Sequence, residues 1–204
     1  AILNPPYKKI RSDSEYRHVL RTIGVETSNL YTAFLALAIK LLVDGGEVVA
    51  IVPRSFCNGP YFKAFRRLLL AQTSLSHLHV FDSRNETFKD DNVLQENIIL
   101  HAIKERRPRK VVVSASYGPT FENRTTRRVD PSQVVRTDDP DMVIHIATND
   151  LDQHVVDRVN CFTQMLGELG VEVSTGRVVD FRSAEYLRQE PESGTVPLIY
   201  PMHF

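Results

Sequence analysis

The chain has 204 residues, 42% of them hydrophobic and 25% charged, an ordinary globular composition with room for one full domain and part of a second. Its 25 basic and 25 acidic residues cancel, so no overall basic excess points to nucleic acid and a local patch would have to do any such binding. Two cysteines, Cys57 and Cys161, lie far apart without CxxC spacing, which argues against a disulfide framework or a zinc site and reads as a reducing cytoplasm.

Ala1-Ile2-Leu3 reads as the end of a buried strand that runs straight into Asn4-Pro5-Pro6-Tyr7. Neither an initiator Met nor a targeting segment is visible, and a start in mid-strand reads as a piece of something longer. Residues 28–46 predict a helix, with Ser28 or Asn29 as N-cap and the Gly45-Gly46 pair closing it. Its apolar residues cover most of its circumference, so it should be buried. The apolar stretch from Leu35 to Val43 is broken by Lys40 and is too short to cross a bilayer. The β-branched run of residues 47–56 predicts a parallel strand covered on both faces. A second helix is expected over 60–72, with Pro60 near its start. Two strands come next, at 75–82 and 96–105; they lie close in sequence and predict an antiparallel pair at a sheet edge. Two more strands are expected at 111–117 and 142–148, around a polar stretch from Thr120 to Asp141. An amphipathic helix is expected over 152–170, ending at Gly170, then strands at 171–181 and 195–201. The alternation of strand and helix makes this an α/β layered sheet.

Asn4-Pro5-Pro6-Tyr7 sits where open α/β sheets bind ligands, beyond the carboxyl end of a strand. Asn4 offers a side-chain carbonyl, and Pro5 offers a backbone carbonyl with no competing N–H. Two prolines in a row stiffen the turn. Tyr7 adds a flat ring beside the two acceptors. Such a set suits a planar substrate bearing an NH2 group. The amino nitrogen of adenine is a poor nucleophile, because its lone pair is delocalised into the ring. Two acceptors on its hydrogens favour a more tetrahedral nitrogen and stabilise the positive charge that develops as it attacks a methyl group.

The motif resembles the catalytic motif of amino-methyltransferases that use S-adenosylmethionine. The stretches GGEVVAIVPRSFCNGPYFKAFRRLLL and FDSRNETFKDDNVLQENIIL resemble the segments downstream of that motif in adenine-specific DNA methyltransferases of bacterial restriction–modification systems. The resemblance covers about Ala1 to Lys104 well, and 173–204 more loosely. It implies the carboxyl half of a Rossmann-like methyltransferase sheet with an antiparallel edge strand, and after it the start of a mixed α/β target-recognition domain. The implied boundaries are 1–116 for the catalytic part, 117–150 for a linker and extra strand, and 151–204 for a truncated recognition part. Double-stranded DNA is the implied partner, together with a missing amino-terminal half of the same chain. By the resemblance, Asn4 and the Pro5 carbonyl accept the amino hydrogens, Pro6 stiffens the loop, and Tyr7 and Phe88 stack on the two faces of a flipped-out adenine. Flipping costs a few kcal/mol, and stacking returns about 1–3 kcal/mol per base. The family's glycine-rich cofactor turn and acidic ribose ligand would precede Asn4, so these residues alone are expected to bind S-adenosylmethionine poorly.

Each residue also has a plainer reading. Phe88 fits a core aromatic at a strand entrance. Lys8 and Lys9 fit DNA phosphate or solvated surface, and Arg177, at the end of Ser174-Thr175-Gly176-Arg177, fits a tight turn facing DNA or an ordinary hairpin. Arg54 and Ser55 fit backbone contact or loop bracing. The basic clusters at 104–110 and Arg124–Arg128 fit a DNA flank or solvated loops. His77 and His79 share a strand face, but no third ligand lies at useful spacing, so no metal site is assigned. Two other functions stay open: a protein-glutamine or RNA methyltransferase with the same motif, and a catalytically silent DNA-specificity subunit.

Overall fold

The computed structural model describes residues 1–81, 96–104, 110–116, 124–162, 164, 166–172 and 182–198. The chain divides into two compact units, Ala1–Val159 and Asn160–Phe204. The first is built on a six-stranded sheet of order β1-β2-β4-β3-β5-β6. Its strands are β1 (Ile2–Leu3), β2 (Glu47–Pro53), β3 (Thr73–Phe81), β4 (Asn97–Lys104), β5 (Val111–Ser116) and β6 (Thr125–Val129). Its helices are α1 (Glu15–Thr22), α2 (Leu30–Leu41), α3 (Lys63–Gln72) and the single turn α4 (Pro131–Val134). Helix α5 (Asp150–Asn160) ends at the border between the units. In the second unit the described residues form only short 3-10 turns, at Leu166–Leu169 and Ala184–Tyr186.

Helices α2 and α3 pack on each other and on β2 and β3. They cover one sheet face, where Leu35, Ile39, Val48, Val52, Leu69, Leu78 and Leu100 are fully buried. A β-bulge between Leu75 and His77 shifts the strand's phase, so Leu75 and Leu78 both reach the core while His77 and His79 share the opposite face. The shared face of these two histidines agrees with the expectation from sequence.

Several expectations need correction. Helix α2 stops at Leu41, with Leu42 already extended. The positive φ of Gly45 serves the tight turn into β2 instead of capping the helix. Strand β2 runs parallel to β1 but antiparallel to β4. Its burial alternates, with Val49 and Ile51 only half-buried, so the described helices cover one of its faces and not both. The β3–β4 pair is antiparallel as expected, yet β4 is interior, between β2 and β3. The edges of the described sheet are β1 and β6, the latter Arg-rich and polar, in a stretch whose sequence reads as irregular. Residues 142–148 form no strand and make one bridge, Val135 to Ile144. The long helix expected to end at Gly170 stops at Asn160. The strand expected at 171–181 lies almost entirely outside the described residues, and residues 195–198 are not strand. Among the described residues no helix is long and apolar enough to cross a membrane.

Candidate active site

Because β1, β2, β3 and β5 all point the same way, their carboxyl ends share one rim of the sheet. Asn4-Pro5-Pro6-Tyr7 leaves β1 on that rim, and Arg54 and Ser55 leave β2 beside it. Pro5 is buried, Asn4 is exposed and Tyr7 is half-buried, so the turn is anchored by one ring while the Asn4 amide faces outward. The Tyr7 hydroxyl lies 3.2 Å from the Ile51 carbonyl and 3.4 Å from Asn4 Oδ1. Burial raises the Tyr7 pKa above the ordinary phenol value, which keeps the hydroxyl a neutral donor.

The backbone beyond Tyr7 is strapped to the start of α2. Leu30 N–H donates to the Lys8 carbonyl at 2.8 Å, and Ile10 N–H donates to the Ser28 carbonyl at 2.8 Å. This brings Tyr31 under Tyr7, edge to face, with ring centroids 6.1 Å apart. Tyr31 also meets Phe62 at 5.7 Å and shares a 3.1 Å hydrogen bond with Ser55 Oγ. Burial raises the Tyr31 pKa strongly, so it too stays a neutral phenol. The buried hydroxyls of Thr27 and Thr32 hydrogen-bond to each other just behind.

These residues line a cavity of about 390 Å³, bounded by Tyr7, Lys9, Tyr31, Ser55, Tyr61 and Phe62, with Ser28, Asn29 and Pro53 completing its wall. The volume lies within the usual range for small-molecule sites. Among the described residues the lining holds one cation, Lys9, and no carboxylate. Tyr61, 84% exposed, stands in that wall with its ring largely open to solvent.

The structure therefore brings together Asn4, Pro5, Tyr7, Lys9 and Ser55. Pro6 and Lys8 lie in the same turn and, like Asn4 and Lys9, are exposed; neither lines the cavity. Arg54 turns to Glu96, forming an ion pair at 3.3 Å and donating its backbone N–H to the Glu96 carbonyl at 2.7 Å. Phe88 and Arg177 lie outside the described residues. Sequence reasoning missed Tyr31, Tyr61 and Phe62. Their available signal was aromatic residues at the start of a helix and in a Gly-Pro turn beside a strand end. His77 and His79 fall away from the cavity lining and are held by Ser114 and Ser116 hydroxyls. Among the described residues no cluster fit for a metal is present.

A sheet rim carrying an Asn-Pro-Pro-Tyr turn beside a ring-lined cavity places this chain among the α/β proteins. Comparison with known proteins shows what the chain is similar to. Residues 1–88 match the Eco57I restriction-modification methylase family. Over its whole length the chain is 50% identical to the Type II methyltransferase M.PstI of Providencia stuartii and 50% identical to the Type II methyltransferase M.BsuBI of Bacillus subtilis. It spans 40% of each of these relatives. A modification subunit of a putative type I restriction enzyme from Vibrio vulnificus YJ016 shares the fold, with a TM-score of 0.50 over 78% of this chain and 39% of that one, at 10% identity. These similarities agree with the resemblance to restriction–modification methyltransferases read from the sequence.

Proposed function

We propose that the chain is the catalytic-strand portion of a DNA methyltransferase of a restriction–modification system, which transfers the methyl group of S-adenosylmethionine to the exocyclic nitrogen of a flipped-out adenine. The observation that carries the reading is the juxtaposition of Asn4 and Tyr7 on the rim of the sheet, over a cavity walled by rings. The 50% identity to two Type II methyltransferases supports it.

The cavity's donor set fits one wall of a cofactor or base site. Tyr7, Tyr31, Tyr61 and Phe62 offer ring surface to a purine or to a sulfonium cation. Lys9 suits a carboxylate or phosphate, while the described lining has no acid to hold ribose hydroxyls. When bound, S-adenosylmethionine supplies the electrophilic methyl group. Asn4 Oδ1 and the Pro5 carbonyl accept the two amino hydrogens, drawing the nitrogen's lone pair out of the ring system. Two consecutive prolines stiffen the turn that carries both acceptors, which limits the reorganisation needed as charge develops. Tyr7 stacks on the base, with its hydroxyl tethered to the Ile51 carbonyl, and Phe88 is proposed for the opposite face. Lys8, Lys9, Arg54, Ser55 and Arg177 are proposed DNA contacts. Residues 151–204 are proposed to open the target-recognition part, and the separate compactness of Asn160–Phe204 supports that assignment.

The test is plasmid DNA methylated by the full-length gene product, digested to nucleosides and read by mass spectrometry. N6-methyladenine is expected, and Asn4→Ala should abolish it. If only methylated protein or RNA is found, the substrate assignment fails. If DNA binds equally well with and without Asn4→Ala and no methyl product ever forms, the chain is a silent specificity subunit.

A further inference from the structure

We propose that Arg66 is a positioning residue for this reaction. Its buried guanidinium fixes the Arg54–Phe62 turn and, through it, the rings facing the substrate. The proposal rests on the methyltransferase reading above.

Arg66 is 1% exposed, one of the largest fully buried side chains of the protein. Its cation is held by three backbone carbonyls. Nη1 donates to Phe56 at 2.9 Å and to Gly59 at 2.8 Å, and Nε donates to Asp141 at 3.0 Å. Burying a cation is costly unless each N–H finds an acceptor. A tight turn supplies such acceptors, since its inward carbonyls have no strand or helix to pair with. Phe56 and Gly59 flank the bend that joins β2 to α3, so Nη1 ties both limbs of the turn together while Nε holds the Asp141 carbonyl. A lysine ammonium at the same place is a point charge on a flexible stem and does not hold the turn and the Asp141 carbonyl from two separate nitrogens.

The turn has little slack to take up. Gly59 N–H donates to the Ser55 carbonyl at 3.0 Å. A Cβ on Gly59 would sit 2.7 Å from that carbonyl oxygen and 2.9 Å from the Phe62 ring. From Ser55 the constraint passes to the Tyr31 hydroxyl at 3.1 Å, and the Tyr31 ring in turn packs against Tyr7 and Phe62. Arg66 therefore sits at one end of a short contact path whose other end is the ring beside Asn4. Its Nε bond adds a second input, because Asp141 belongs to the segment after β6. That segment is pinned to the same turn by the Lys63–Asp141 ion pair at 2.6 Å and by Ile144 N–H donating to the Cys57 carbonyl at 2.8 Å.

The experiment uses the full-length gene product with plasmid DNA and S-adenosylmethionine. Initial rates are measured at a temperature at which each variant is folded by circular dichroism. Arg66→Lys and Arg66→Met should each lower kcat about tenfold or more per folded molecule, as expected when reacting groups are displaced by a fraction of an ångström. Tyr31→Phe, which removes the hydroxyl that senses the turn, should lower kcat in the same direction. A purely structural arginine would lower the melting temperature and leave kcat per folded molecule unchanged. If Arg66→Met does not fold, Arg66→Lys and Tyr31→Phe decide. Parental kcat in both of those variants, with product still abolished by Asn4→Ala, overturns the role of Arg66 and leaves the reaction standing. Methyl product that survives Asn4→Ala counts instead against the reaction itself.

Discussion

The Tyr7 hydroxyl has one proton and two acceptors within reach, the Ile51 carbonyl at 3.2 Å and Asn4 Oδ1 at 3.4 Å. The shorter bond takes the proton, which leaves the Asn4 oxygen open to a substrate amino group. Tyr7→Phe should therefore keep the stacking ring and most of the methyl product, while costing about 0.5–1.5 kcal/mol in urea denaturation for the lost hydrogen bond. Tyr7→Ala should remove the stacking surface and with it most of the product. The two cysteines differ as sharply. Burial pushes the Cys57 thiol up to about 12, whereas Cys161 is exposed. Only the thiolate attacks disulfide reagents. Ellman's reagent at pH 8 should titrate one thiol rapidly in the native chain and two in denaturant. Two fast thiols without denaturant would mean that the β2–α3 turn opens readily, since Cys57 lies within it.

At the scale of elements, β4 lies in the sheet's interior and not at the expected edge, and this changes what its residues are worth. Leu100 is fully buried between β2 and β3. Leu100→Ala should cost about 2–5 kcal/mol in a denaturant melt, whereas Thr126→Ala on the exposed β6 edge should stay within about 0.5 kcal/mol. The elements legible in the sequence were those with apolar runs: α2, β2, α3, β3, β4 and β5. Those missed lacked such runs. Helix α1 buries only Leu20; it is held by its Ser14 cap and by Arg17 and Arg21 gripping Glu26. Strand β6 reads Thr-Thr-Arg-Arg-Val because an edge strand with charged side chains resists pairing with another chain. Residues 142–148 alternate like a strand, but Met142 takes a positive φ of 50° and the backbone makes a single bridge. The site divides in the same way. Asn4 through Tyr7 are contiguous, so their chemistry shows in four letters. Tyr31, Phe62 and Arg66 act through contacts made only after folding, such as the one from Tyr31 to Ser55 24 positions on, and no local pattern announces them.

Across the molecule, the sheet face opposite the helices carries a polar ladder with a consequence for pH. One Ser114 hydroxyl lies 2.7 Å from both His77 Nε2 and His79 Nδ1, and His79 Nε2 lies 3.0 Å from Ser116 Oγ. Ser114 has one proton to give, so it donates to one imidazole and accepts from the other. That arrangement is complete with both rings neutral. Burial is the first cause lowering the pKa of each histidine. The charges of His101 and Arg124 add to it for His77, as do those of His77 and Arg124 for His79. With folded pKa values below the ordinary 6.5, the unfolded chain takes up these protons first as pH falls. Stability is then complete above about pH 6.5 and declines below it, until the folded-state pKa values are passed. The acidic groups act lower down: Glu26, held to about 2 by Arg21 and Arg17, loses its contribution only as pH falls below the ordinary carboxylate range near 4.5. Urea midpoints measured between pH 7.5 and 5.5 isolate the histidines. The midpoint should fall across that interval in the parent chain, and the slope should flatten when His77→Gln and His79→Gln are combined. An equal slope in the double variant would place the protons elsewhere, and would mean that the ladder tolerates a charged imidazole as readily as water does.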